Sequence, residues 1–136
     1  MLNQKKIPTA ANNMTNTQNT RIAAVAGFLA VTLGAFGAHG LTGILAQNGT
    51  AAIWEKAFFY HFIHAVMLFV VAERKPFAAG AWWSFLAGIV IFSGSLYLLA
   101  VTNVKWLGAV TPIGGVSFLV GWAWLFWSAA ESPARK

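Results

Sequence analysis

Four long apolar stretches decide what this chain can fold into. They run from about Ile22 to Leu41, Ala52 to Ala72, Ala78 to Val101 and Trp106 to Ala129. Each is close to the roughly 20 residues that cross a hydrocarbon core of about 30 Å as a helix. Lipid offers no partner to a stray backbone N–H or C=O, so a crossing segment is either a helix or part of a closed barrel. Barrel strands alternate polar and apolar residues, and these stretches do not. The expected fold is therefore an all-α membrane protein whose transmembrane domain occupies residues 21–130. Charge supports it: only 9% of the 136 residues are charged, against about 25% in soluble domains. Near its end the first stretch contains "AFGA", which resembles a secretory cleavage site, but the stretch outruns the roughly 7–15-residue apolar core of a signal. It is read as a span.

The links between spans are short. "ERKPF" (73–77) and "TNVK" (102–105) leave room only for tight turns, and Pro76 disfavours helix in the residue before it. Short links make neighbouring helices antiparallel, which predicts an up-down-up-down four-helix bundle. Residues 1–20 differ in kind. "TAANNMTNTQNT" is rich in Asn and Thr with no apolar period, so it reads as a polar, flexible tail. Residues 131–136 form a second short tail.

Basic residues set the expected orientation. Lys5, Lys6, Arg21, Arg74, Lys75, Arg135 and Lys136 fall on one side, and Lys56 and Lys105 on the other. Both termini are then cytoplasmic. Trp82, Trp83 and Trp127 would anchor the inner interface, and Trp54 and Trp106 the outer one. The formal net charge of +6 points to the anionic headgroups of membrane lipids. No basic cluster on a soluble fold suggests nucleic acid. The absence of Cys excludes disulfides, thiolate metal sites and thiol catalysis.

Lipid tails are as apolar as Leu, so close packing through small residues must hold the helices together. The first span offers Ala26, Ala30, Gly34 and Ala38 at every fourth position, with Gly37 beside them. The third offers Gly88 and Gly94, and the fourth Gly114, Gly115, Ser117 and Gly121. In "TPIGG" (111–115), Pro112 is expected to kink the fourth helix early.

The polar residues inside the spans are the candidate functional site. "WEKAFFYHFIHA" (54–65) places Glu55 and Lys56 at the outer mouth of the second span and Tyr60, His61 and His64 deeper. His61 lies about 9 Å further in at about 1.5 Å per residue. His61 and His64 share a helix face and should turn away from lipid. A tight hairpin would bring His39 near Glu55, and Ser93, Ser95, Tyr97 and Thr111 could complete a polar pocket. A His39–Glu55–His61 chain could relay protons, and the aromatics beside the imidazoles could hold a quinone-like ring. Haem or metal ligation is the weaker fit, because no second carboxylate completes a metal set and two His on one helix cannot flank one haem. The plainer alternative is that both imidazoles bond neighbouring helices and fix their register. No nucleophile triad, phosphate loop, dinucleotide fingerprint or metalloprotease helix is present, so no catalytic residue, resident metal or cofactor is expected.

"LGAFGAHGL", "WEKAFFYHFIHA" and "FSGSLYLLAVTNVKWLGAVTPIGG" followed by "GW" resemble the small four-helix membrane proteins of unknown function typified by bacterial YgdD (domain of unknown function 423). The resemblance covers roughly residues 22–127. It implies a multi-pass protein of the bacterial inner (cytoplasmic) membrane and brings no activity. The expected function is a non-catalytic membrane component that packs with itself as a homo-oligomer or with a larger membrane complex. A ligand-binding or proton-relay protein is the first alternative, and a minimal oligomeric transporter the second.

Overall fold

The computed structural model describes residues 10–130, with side-chain surroundings for residues 16–129. The tails expected at 1–9 and 131–136, with Lys5, Lys6, Arg135 and Lys136, lie outside the described residues. All regular structure in the described part is helical: α1 (Ala10–Ala38), α2 (Thr42–Asn48), α3 (Ala51–Glu73), α4 (Ala79–Gly88), a π turn (Ile89–Ser93), α5 (Gly94–Thr102), a 3-10 turn (Lys105–Ala109) and α6 (Thr111–Ala130). Four helical segments, Asn16–Ala38, Ala51–Glu73, Ala79–Thr102 and Lys105–Ala129, are long and apolar enough to cross a bilayer.

The spans alternate in direction. Between α1 and α3, Thr20 Oγ1 donates to Glu73 Oε1 at 2.8 Å, Gly34 lies under Phe58, and Gly37 under Trp54. Numbers rise on one helix as they fall on the other, which is antiparallel packing. Between the third span and α6 the pairs are Gly80 with Trp124, Phe85 with Gly121, Gly88 with Phe118, and Phe92 with Gly114, again antiparallel. α3 is the hub. It packs against α1 on one side and against α4, the π turn and α5 on the other, while α6 packs along α4 and the π turn. Among the described residues no comparable seam joins α1 to α6, and the four-span bundle is open along that side.

Four sequence expectations change. Residues 10–20 do not form a tail distinct from the first span; they continue as the first turns of α1, and Thr20 ties that stretch to α3. The link after α1 contains α2, which ends in a left-handed turn at Gly49 (φ 67°). There Gly49 N–H donates to Ala46 O and Thr50 N–H to Leu45 O, and a residue without a Cβ takes this conformation at no steric cost. Pro112 kinks nothing, because it sits in the first turn of α6, where its missing N–H has no intrahelical partner to lose. The irregularity lies instead in the third span, at the π turn.

Packing follows the small residues, but with aromatic rings seated on them. A methyl group added at Gly88 would collide with Phe118, at Gly121 with Phe85, and at Gly37 with Trp54. At Gly114 a methyl group would collide with the backbone of Phe92. Ala26 and Ala30 are buried. The remaining expected packing residues are not used in this way. Ala38 is exposed, Gly94 faces open space, Gly115 makes only loose contact with Phe92, and Ser117 donates to Ile113 O of its own helix. Two expected interface anchors are core residues: Trp82 is fully buried and Trp54 is 5% exposed. Trp83, Trp106 and Trp127 are exposed.

Candidate functional site

The ends of the spans are held by side chains that reach loose helix carbonyls. At one end, Asn48 Nδ2 donates to Ala100 O and Val101 O at 3.1 and 3.0 Å. Thr50 Oγ1, fully buried, donates to Ala100 O at 2.7 Å. The last carbonyls of a helix have no partner within it, so the α2–α3 corner supplies donors to the end of α5. At the other end, Arg74 donates through one nitrogen to Ser128 Oγ at 2.7 Å and through another to Ser128 O at 3.1 Å. A cation suits the negative end of α6.

Between these ends the polar residues form separate groups. His64 is 4% exposed. Its Nδ1 lies 2.8 Å from the carbonyl of Tyr60, one turn back on α3, and its Nε2 lies 3.2 Å from the indole Nε1 of Trp122 on α6. A carbonyl can only accept and an indole N–H can only donate, so one tautomer serves both bonds: a neutral ring with its proton on Nδ1. The imidazole is stacked on Phe118 with centroids 3.6 Å apart and planes 13° from parallel. Phe85 tilts against it at 5.4 Å. No ring nitrogen is left for a metal or haem iron.

His61, 5% exposed, belongs to a second group. Its Nδ1 is 3.4 Å from the Tyr97 hydroxyl of α5, and the ring also reaches the backbone carbonyl of Ala26 on α1. Tyr97 in turn tilts against Trp54 at 4.6 Å, and Trp54 Nε1 donates to Leu33 O of α1 at 3.1 Å. The third group joins α5 to α6: Ser95 Oγ and Thr111 Oγ1 are 2.9 Å apart, so one hydroxyl donates to the other, and the accepting hydroxyl keeps its own proton for a carbonyl of its segment, Phe92 O for Ser95 or Leu107 O for Thr111.

The single polar pocket expected from the sequence is therefore not assembled. Three residues along a helix turn the side chain to within about 60° of the starting direction. That angle is enough for His61 to face α1 and α5 while His64 faces α6. His39 is exposed at the end of α1, where its carbonyl accepts from Thr42 Oγ1 at 3.3 Å. Glu55 and Lys56 are exposed, and no bond among the described residues joins His39, Glu55 and His61 into a relay. Tyr60 packs its ring against Phe92 at 4.6 Å. Ser93 is fully buried in the π turn, and its Oγ has no hydrogen-bond partner. Among the described residues no three His, Asp or Glu gather to hold a metal ion.

Sequence reasoning missed Trp122 and Phe118, the α6 half of the His64 site, and Asn48 and Thr50, the cap on α5. Trp122 could have been flagged because an indole N–H in lipid needs an acceptor. Nothing local marked Asn48, whose partners are far along the chain.

A family described as "Protein of unknown function (DUF423)" has a model that matches residues 33–115. The UPF0382 membrane protein YwdK of Bacillus subtilis is 44% identical over 116 residues, covering 81% of this chain and 94% of that protein. A UPF0382 membrane protein of Staphylococcus epidermidis is 47% identical over 105 residues, covering 74% and 85%. Another from Staphylococcus aureus is 42% identical over 108 residues, covering 76% and 88%. No solved structure matches the chain.

Proposed function

The chain belongs to the DUF423 family of membrane proteins of unknown function, and from that premise we propose that it is a non-catalytic component of the bacterial inner membrane that associates with itself or with a larger membrane complex. The observation that carries this reading is the use of its polar interior. His64 spends both nitrogens on α3 and α6, and Ser95 and Thr111 spend their hydroxyls on each other and on a nearby carbonyl. Groups engaged in this way hold helices in register and are not free to meet a substrate. The open side of the bundle supplies the means of association. α1 leaves Val25, Phe28 and Val31 exposed, and α6 leaves Leu119, Phe126 and Trp127 exposed.

In the membrane, the end carrying Arg21, Arg74 and Lys75 faces the cytoplasm, and Lys56 and Lys105 lie toward the opposite side. Both termini are then cytoplasmic.

Single-cysteine variants test the association, because the native chain has no Cys. Oxidation of Val31→Cys in native membranes is expected to give a cross-linked product, while Ala30→Cys, facing α3 and fully buried, gives none. A monomeric mass in neutral detergent together with no product from exposed positions on α1 and α6 would overturn the reading.

A further inference from the structure

Two charged groups within α3, Glu55 and Lys56, stay apart from the bonding just described. Glu55 lines a cleft of about 200 Å³ where α1, α2 and α3 meet, together with Gly34, Gly37, Leu45, Trp54 and Phe58. The two glycines are what let the Trp54 and Phe58 rings lie against α1, since a methyl group at either would collide with them. Glu55 is exposed, and no described side chain or backbone group bonds its carboxylate. Lys56, its immediate neighbour, is exposed and makes no ion pair with it.

Glu55 lies in the first turns of α3, about 6 Å into the span at about 1.5 Å per residue. A carboxylate beside apolar walls at the edge of a bilayer is costly without a counter-charge. Aromatic walls with one carboxylate are the chemistry that receives organic cations, because ring faces and the anion both attract positive charge. The cleft is too small for a large ligand, so an apolar tail on a bound head lies outside it. We propose that this cleft binds the cationic head of an amphiphile: an ammonium group carrying an apolar chain, with Glu55 as the counter-ion and half-buried Phe58, with the small exposed part of Trp54, as the wall. The head can come from an amine-bearing lipid or from a free cationic amphiphile. This is independent of the association proposed above, which rests on α1 and α6.

The test uses the full chain in neutral maltoside micelles and a nitroxide-labelled alkyltrimethylammonium as probe. The immobilised fraction of its paramagnetic resonance spectrum reports bound probe. Wild-type protein is expected to show a saturable immobilised component, and Glu55→Gln to bind about tenfold or more weakly. Lys56→Gln is expected to bind at least as well as wild type, and a labelled neutral alcohol of equal chain length to show no saturable component. Ala51→Trp, which fills the cleft from its rim, removes binding while Glu55 stays in place. Adding phosphatidylethanolamine separates the sources: competition with the probe assigns the site to a lipid amine, and lack of competition assigns it to a free amphiphile. Equal binding by wild type and Glu55→Gln, or equal binding of the neutral alcohol, would overturn the proposal.

Discussion

Glu55 and His64 stand on the same helix and meet opposite fates. His64 lies deep in the span, is closed over by Phe118, Phe85 and Trp122, and has a partner for each ring nitrogen. Glu55 lies at the rim with a formal charge and no partner among the described residues. The difference shows how the protein sorts polar groups. His61, His64, Ser95 and Thr111 are spent on joining helices, Ser93 Oγ and Trp82 Nε1 are closed off in the interior without a partner among the described residues, and Glu55 is an unspent group at the rim that can meet something from outside. Stability should therefore follow satisfaction of polar groups, and ligand binding should follow the lack of it.

The sharpest way to break this comparison is His64→Ala. It empties an aromatic-lined site and leaves the Trp122 N–H without an acceptor, so a loss of about 2–4 kcal/mol is expected in denaturant unfolding in detergent or bicelles. A loss no larger than that of an exposed substitution would remove the structural role. Thr50→Val asks whether depth or satisfaction matters. Thr50 is close to the rim like Glu55 but is buried and bonded to Ala100 O. A loss of about 1–2 kcal/mol is expected, and thermal unfolding monitored by circular dichroism would show it. If Thr50→Val were neutral, depth alone would explain His64. Glu55→Gln completes the series with the smallest effect. It removes a charge with no partner among the described residues, so stability in the same unfolding assay should stay within about 0.5 kcal/mol of wild type. A large change would mean that Glu55 is part of the framework.

The spans were legible because lipid leaves so few choices. Lengths of apolar sequence near 20 residues name the helices, and the cost of imidazole in lipid correctly turns His61 and His64 inward, both being buried. What was not legible depends on relations between distant residues. The π turn at Ile89–Ser93 has no local signal in "IVIFS"; it accompanies the close approach of Gly114 to the Phe92 backbone. α2 is too short to show a period, and its role comes from Asn48 and Thr50 reaching α5. The split between His61 and His64 turns on an angular difference that spacing by three residues cannot reveal until the neighbouring helices are placed. Pro112 is of the same kind: a proline breaks a helix or begins one according to where the helix starts, and α6 starts at Thr111.

The central claim is that His64 is a neutral bridge from α3 to α6. Nitrogen NMR of 15N-histidine-labelled protein in bilayers, with the His64 signal assigned by its loss in His64→Ala, tests it most directly. The bridge predicts one protonated, pyrrole-type Nδ1 and one unprotonated Nε2 that correlates with the Trp122 indole proton. A signal with the proton on Nε2, or with both nitrogens protonated, would contradict it.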